Sequence, residues 1–235
     1  MDALTVQAAQ ITRRTVINSM GSLDNAVRRR QAQGVAEFAE YLYRRALEGL
    51  LTLDANERAD TYVVSFFICD EDDDPRLPTL TVGTNTESQV RLATEQPADF
   101  VKPNPWWTPT DEQEARWNYA FWLQNDLAVI GEQTVDPFGA QLRRSWLEGR
   151  GLWFDSLDHS DAETAREAAI TQAFVELCVA TVQELHRSQA LDDLFGRSIP
   201  VIVHELEYYD AIAVQNREAN GEALASGLTR WIEAM

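Results

Sequence analysis

Lysine is nearly missing from this 235-residue chain: Lys102 is the only one, and arginine supplies the other 19 basic residues. Cysteine is almost as scarce. Cys69 and Cys178 stand alone, too few for a disulfide framework, so a reducing cytosol is the expected setting. No run approaches the roughly 20 apolar residues that a membrane span needs. The opening MDALTVQAAQITRRT has no basic segment followed by an apolar one, so no signal peptide is expected and the expected location is cytoplasmic. Patterns that carry chemistry are missing too. There is no G-x-x-x-x-G-K-[ST], no G-x-G-x-x-G and no G-x-S-x-G, and the missing phosphate cradle argues against nucleotide enzymes. The three histidines, His159, His186 and His204, show no H-E-x-x-H spacing, so no metal or other cofactor is expected and no catalytic residue is assigned.

What is present in excess is negative charge. The chain carries −18 at neutral pH, with a pI near 4.5. Residues 1–60 balance at 8 acidic and 8 basic side chains, so residues 61–235, with 30 acidic and 12 basic, hold the whole excess. A body this acidic repels phosphate backbones and anionic lipid, which makes nucleic acid and membrane surfaces poor partners and a basic protein a good one. The composition, 45% hydrophobic with 9% aromatic, provides ample surface for a globular core.

Periodicity predicts the elements. From Ser22 to Leu51 the pattern is helical, with Val35, Phe38, Ala39, Leu42 and Ala46 on one face. TYVVSFFIC (Thr61–Cys69) reads as a strand covered on both sides, and TLTVGT (Thr79–Thr84) as its hairpin partner across DEDDDPRLP. NTESQVRLATE predicts a helix capped at Asn85 or Thr86. ARWNYAFWLQND alternates and predicts a strand, with a helix from near Thr110 as the competitor. A short helix carries Leu142, Trp146 and Leu147. A long one opens with a Ser160–Glu163 capping box and buries Ile170, Phe174, Leu177, Cys178 and Leu185. IPVIVHEL (Ile199–Leu206) is a last strand, and Tyr208–Met235 is helical in two pieces divided near Asn220–Gly221. The fold class expected is α+β: one domain over 1–235, with 1–21 a peripheral helix. It has a central, mostly antiparallel sheet with helices packed on it, a long N-terminal helix and a helical C-terminus.

Two features suggest contact surfaces. Asp70, Glu71, Asp72, Asp73 and Asp74 form a run of five carboxylates with no glycine for a calcium turn. It is expected as a solvated interaction loop that nothing inside the chain must neutralise. Six of the seven tryptophans fall between Trp106 and Trp153. Such density predicts core, with the proline-flanked pair Trp106–Trp107 as the exception placed to anchor a partner.

The order of YVVSFFICD, LTVGTNTESQ, ARWNYAFWLQND, IPVIVHELEYYD and a downstream QNREANG resembles the bacterial domain-of-unknown-function family 4303. The likeness rests on Asn85, Thr86 and Glu87 in the turn after a strand and on Arg116, Trp117 and Trp122 in an R-W-x-x-x-x-W block, and it spans about Ser22 to Asn220. The proline- and tryptophan-rich stretch 97–110 departs from that pattern. The resemblance implies an immunity protein that neutralises a cognate protein toxin without catalysis of its own. Charge complementarity then selects Asp70–Asp74 with Glu205, Glu207 and Asp210 as partner-binding patches, and Trp106 and Trp107 as apolar anchors. Two other classes stay open: an adaptor using Arg28–Arg30, and an enzyme with Arg116 and Glu87 in a pocket among the tryptophans.

Overall fold

The computed structural model describes residues 34, 36–95, 108–155 and 161–235. The expectations for 1–21, for Arg28–Arg30, for Trp106 and Trp107, for His159 and for the Ser160 half of the capping box lie outside the described residues.

The apolar run Thr61–Asp70 is strand β1, its first six residues buried. β-Branched and aromatic side chains suit a pleat covered on both faces. After a 3-10 turn at Glu71–Asp73 the chain returns as β2 (Pro78–Thr86), antiparallel, with Asp70 opposite Pro78 and Thr61 opposite Thr86. A short β3 (Ala128–Ile130) pairs antiparallel with β2. On the other side of β1, β4 (Val201–His204) lies parallel, Phe67 opposite His204. The sheet order is β3-β2-β1-β4, so the fold is α+β around a mostly antiparallel sheet.

Helices cover both faces. On one, α1 (36–51), α5 (Pro137–Gly149) and α6 (Asp161–Arg187) pack Phe38, Leu42, Trp146 and Phe174 against Val64, Phe66, Leu80 and Val203. The short helix α7 (Ala190–Phe195) adds Leu191 and Phe195 to this layer, and α2 (Ala55–Asp60) lies beside α7 with none of its residues buried. On the other face, α3 (Glu87–Thr94), α4 (Glu112–Trp117) and α8 (Asp210–Ile232) bring Val90, Trp117, Ile212 and Leu228 onto Val63 and Ile202. By length and composition α6 is able to cross a membrane, yet Ile170, Phe174, Cys178, Val182 and Leu185 are its buried core face, as in any central helix of a packed domain.

Helix starts follow their caps. Asp54 makes a full capping box with Glu57, Thr86 accepts from the Gln89 amide, and Asp111 accepts from the Glu114 amide, each removing an orphan donor. The capped start at Asp111 also explains a correction. The alternating ARWNYAFWLQND is not a strand: it is the end of α4 followed by a 3-10 turn at Tyr119–Phe121. Local capping at Asp111 and Asn118 outweighs the period-two pattern there. The predicted division of the last helix is present, with Gly221 at φ 77 inside α8.

The outer edge of β4 is closed by side chains. Asn216 on α8 accepts from the Val203 amide and donates to the Val203 carbonyl, both at 2.8 Å. One turn on, Asn220 does the same for Val201 at 2.8 and 2.9 Å. Two carboxamides thereby stand in for a neighbouring strand.

Candidate functional site: an acidic cleft at the ends of the parallel strands

Because β1 and β4 run parallel, Asp70 and Glu205 leave the sheet at the same end. Between them opens a cleft of about 440 Å³. Asp70, Asp73, Glu205 and Glu207 line it together with Phe67, Leu206 and Tyr209, and among the described residues no arginine, lysine or histidine does. The two acidic stretches, more than 130 positions apart in sequence, meet here. Leu206 is 72% and Tyr209 46% exposed, so the cleft offers an apolar lip beside its carboxylates.

The electrostatics follow from burial and like charge. Desolvation, then Glu205, then Asp74 push the Asp70 carboxyl up to about 6, against a partial pull from Arg143. Desolvation and Glu207 raise Glu205. Both groups are disfavoured as anions in the free protein, which a cation placed between them would reverse.

Two members of the acidic run, Glu71 and Asp74, serve the chain itself, correcting the expectation of an un-neutralised loop. Glu71 meets the buried Arg143 at 3.3 Å and accepts from the Gln133 amide at 2.9 Å. Asp74 takes a forked bond from Arg76 at 2.9 and 2.6 Å, which holds its carboxyl below the usual range. Arg76 in turn lies over the rings of Trp153 and Phe154. Two arginines therefore pin the loop to the body, while Asp72 and Asp73 occupy left-handed backbone at φ 56 and 57, a region aspartate tolerates better than most residues. Asp72 points outward, and Asp210 is exposed in the first turn of α8 rather than on the cleft wall.

Arg116 and Glu87, the pair considered for an enzyme pocket, bind each other. Their fork measures 2.9 and 2.7 Å, with the guanidinium 4.6 Å above the Tyr62 ring. Tyr62 and Trp122 both donate to the Arg116 carbonyl. The pair staples α3 to α4, and neither lines the cleft. Trp117, Trp122 and Trp146 are core, and Cys178 is buried, which raises its thiol. Cys69 is exposed on the cleft, its sulfur 3.2 Å from the Thr79 hydroxyl. Among the described residues no group of three histidine, cysteine or carboxylate side chains is arranged to hold a metal.

One constellation escaped the sequence reading. Ser65 Oγ lies 2.8 Å from His204 Nε2, and His204 Nδ1 lies 2.9 Å from the Glu205 carbonyl. A carbonyl only accepts, so Nδ1 carries the hydrogen, and Nε2 accepts from the serine. A serine, an adjacent base and an orienting group are the parts of a nucleophile. Here, however, Ser65 is 2% and His204 0% exposed, beneath the rings of Phe67, Tyr119, Trp122 and Tyr208. The available signal was one polar residue inside each of two apolar strands expected to share a sheet.

No family model, curated protein or solved structure matches this chain.

Proposed function

We propose that the protein is a non-catalytic binder of a basic protein, an immunity-type partner that neutralises a cognate toxin in the cytoplasm. The observation that carries this reading is the cleft itself: four carboxylates, two of them raised by burial and by neighbouring carboxylates, converge beside exposed Leu206 and Tyr209, and among the described residues no arginine, lysine or histidine lines it. That surface fits an arginine or lysine side chain, the stem on the apolar lip and the head between Asp70 and Glu205. At 4 Å and an effective dielectric constant near 20, one such contact gains about 4 kcal/mol of Coulomb energy before desolvation is charged against it. The net charge of −18 adds long-range attraction that speeds encounter at low salt. The resemblance to the toxin-associated family 4303 supports the same class. A complex of ordinary size buries about 1,600 Å² in total, so the cleft is the centre of a larger footprint that takes in Asp72 and Asp210 at its rim.

The test is co-expression with the products of the genes adjoining this one, screened for a toxin whose growth arrest it relieves, paired with stopped-flow association of the purified proteins. Growth rescue is expected. The triple variant Asp70→Asn, Glu205→Gln, Glu207→Gln is expected to lower the association rate at least tenfold in 50 mM salt and far less in 500 mM salt. Rescue that persists with an unchanged association rate in the triple variant would remove the cleft from the interface, and a toxin that ignores the wild-type protein would remove the function.

A further inference from the structure

His204 sits at the back of the acidic cleft, and its surroundings connect three separate pieces of chain. From β1, Ser65 donates to Nε2 and Phe67 lies against the ring at 5.5 Å. From the turn after α4, Tyr119 and Trp122 approach at 4.8 and 5.8 Å. From the segment leading into α8, Tyr208 stacks on the imidazole at 11°, and the Glu205 carbonyl takes the Nδ1 hydrogen. Tyr208 also accepts from the Tyr119 amide at 3.2 Å, so the turn and the 205–209 segment are tied to each other through the same cage. Phe67 and Glu205 are at once neighbours of the histidine and lining of the cleft.

The titratable groups facing this ring are Tyr119 from the turn and Tyr208 from the segment. Tyr119 itself feels Asp126 and Cys69, and Tyr208 feels Tyr119. Both phenols are raised by burial and stay neutral. The ring's polar partners are the Ser65 hydroxyl and the Glu205 carbonyl, and among the described residues no carboxylate pairs with it to offset a positive charge. Burial accordingly holds the imidazole down, to about 4. A neutral ring satisfies every group in the cage. A proton arriving from solvent at Nε2 puts two donors, Nε2–H and Oγ–H, face to face. The serine can turn its hydrogen away, but the imidazolium then remains fully buried without a counter-ion, and ring faces replace only part of its lost hydration.

We propose that the Ser65–His204 pair is an acid-operated latch: protonation at Nε2 releases the Tyr119–Trp122 turn and the Glu205–Tyr209 wall of the cleft, while the β1–β2 hairpin stays folded. The hairpin has its own reason to persist, since Val64, Phe66, Leu80 and Val82 belong to the opposite, aliphatic core. The latch goes beyond the binding reading and operates without a partner.

The experiment uses the wild-type chain. Imidazole nitrogen shifts of the three histidines are followed from pH 7 to pH 3.5, alongside hydrogen-exchange protection of peptides covering 112–127, 200–210, 61–70 and 78–86. The expected result is a tenfold or greater loss of protection in 112–127 and 200–210 that coincides with His204 protonation, with 61–70 and 78–86 still protected. His204→Gln is expected to remove that step, and Asp70→Asn with Glu205→Gln to retain it. The proposal is overturned if all four peptides open together, if His204→Gln leaves the step in place, or if the carboxylate variant abolishes it. Should His204→Gln fail to fold, the wild-type titration still decides: a His204 that stays neutral through the opening of 200–210 ends the idea.

Discussion

The two faces of the sheet are built differently. Toward α1, α5 and α6 the contacts are aliphatic and aromatic, with Phe38, Phe66, Trp146 and Phe174 enclosed. Toward α3, α4 and α8 the same strands present Ser65, Asn85 and His204 as well as Val63 and Ile202, and each polar group is matched: Ser65 to His204, Asn85 to Tyr62 and to the Leu123 amide. The first face is stabilised chiefly by apolar burial, which is little affected by pH and tolerant of small shifts, with the Tyr41–Asp136 and Arg143–Glu71 contacts as its polar margin. The second depends on hydrogen bonds whose loss strands a buried donor or acceptor. The acidic cleft opens at the end of that second face, so the part of the molecule proposed to bind is also the part most responsive to conditions.

Variants on the two faces sharpen the contrast. The largest effect is expected on the aliphatic side: Trp146→Ala empties a fully buried site and should cost about 3–5 kcal/mol in urea unfolding, with the loss unchanged between pH 7 and pH 5. On the polar side the pH dependence itself is the readout. His204 has a folded-state value near 4 against an ordinary value of 6.5. The unfolded chain therefore binds the proton first as pH falls through that window, and stability is lost. At pH 5 this amounts to about 2 kcal/mol relative to pH 7 and above. Asp70 and Glu205 run the opposite way, because raised carboxyls favour the folded state as pH falls. The histidine's share is therefore the difference between wild type and His204→Gln, and an identical pH profile for both would refute it. Asn216→Ala removes both bonds to Val203 and is expected to cost about 1–3 kcal/mol, with faster amide exchange at Val203. The smallest effect belongs on the outside of α1, where Glu48 faces Arg44 and Arg45 with about half its side chain exposed. Glu48→Gln should change stability by less than about 1 kcal/mol and only at low salt.

The sequence made the elements with strong local signals legible. Thr61–Cys69 and the hairpin after it, the cap at Thr86 and the break at Gly221 are each specified by residues within a turn of the feature. β3 was not legible, since Ala128–Ile130 is three residues long and owes its conformation to pairing with β2. The strand expected at Ala115–Asp126 gave way to its competitor, the helix expected from near Thr110, because alternation of aromatics does not reveal that Asp111 and Asn118 cap helical turns. The candidate site was half legible. Acidity pointed to Asp70–Asp74 and to Glu205 and Glu207, but their convergence depends on β1 and β4 running parallel. The loss of Glu71 and Asp74 to Arg143 and Arg76 is likewise a tertiary fact that composition does not contain.

The asparagine pair on α8 has a consequence for how this chain behaves in a crowded cell. A bare outer strand is a template on which further chains stack, and it is where many sheet proteins begin to form fibres. With Val201 and Val203 already occupied by Asn216 and Asn220, that flank gives a passing strand nothing to zip onto. Mutations that shift α8 by a single residue would expose it, turning a blocked edge into a seed for aggregation.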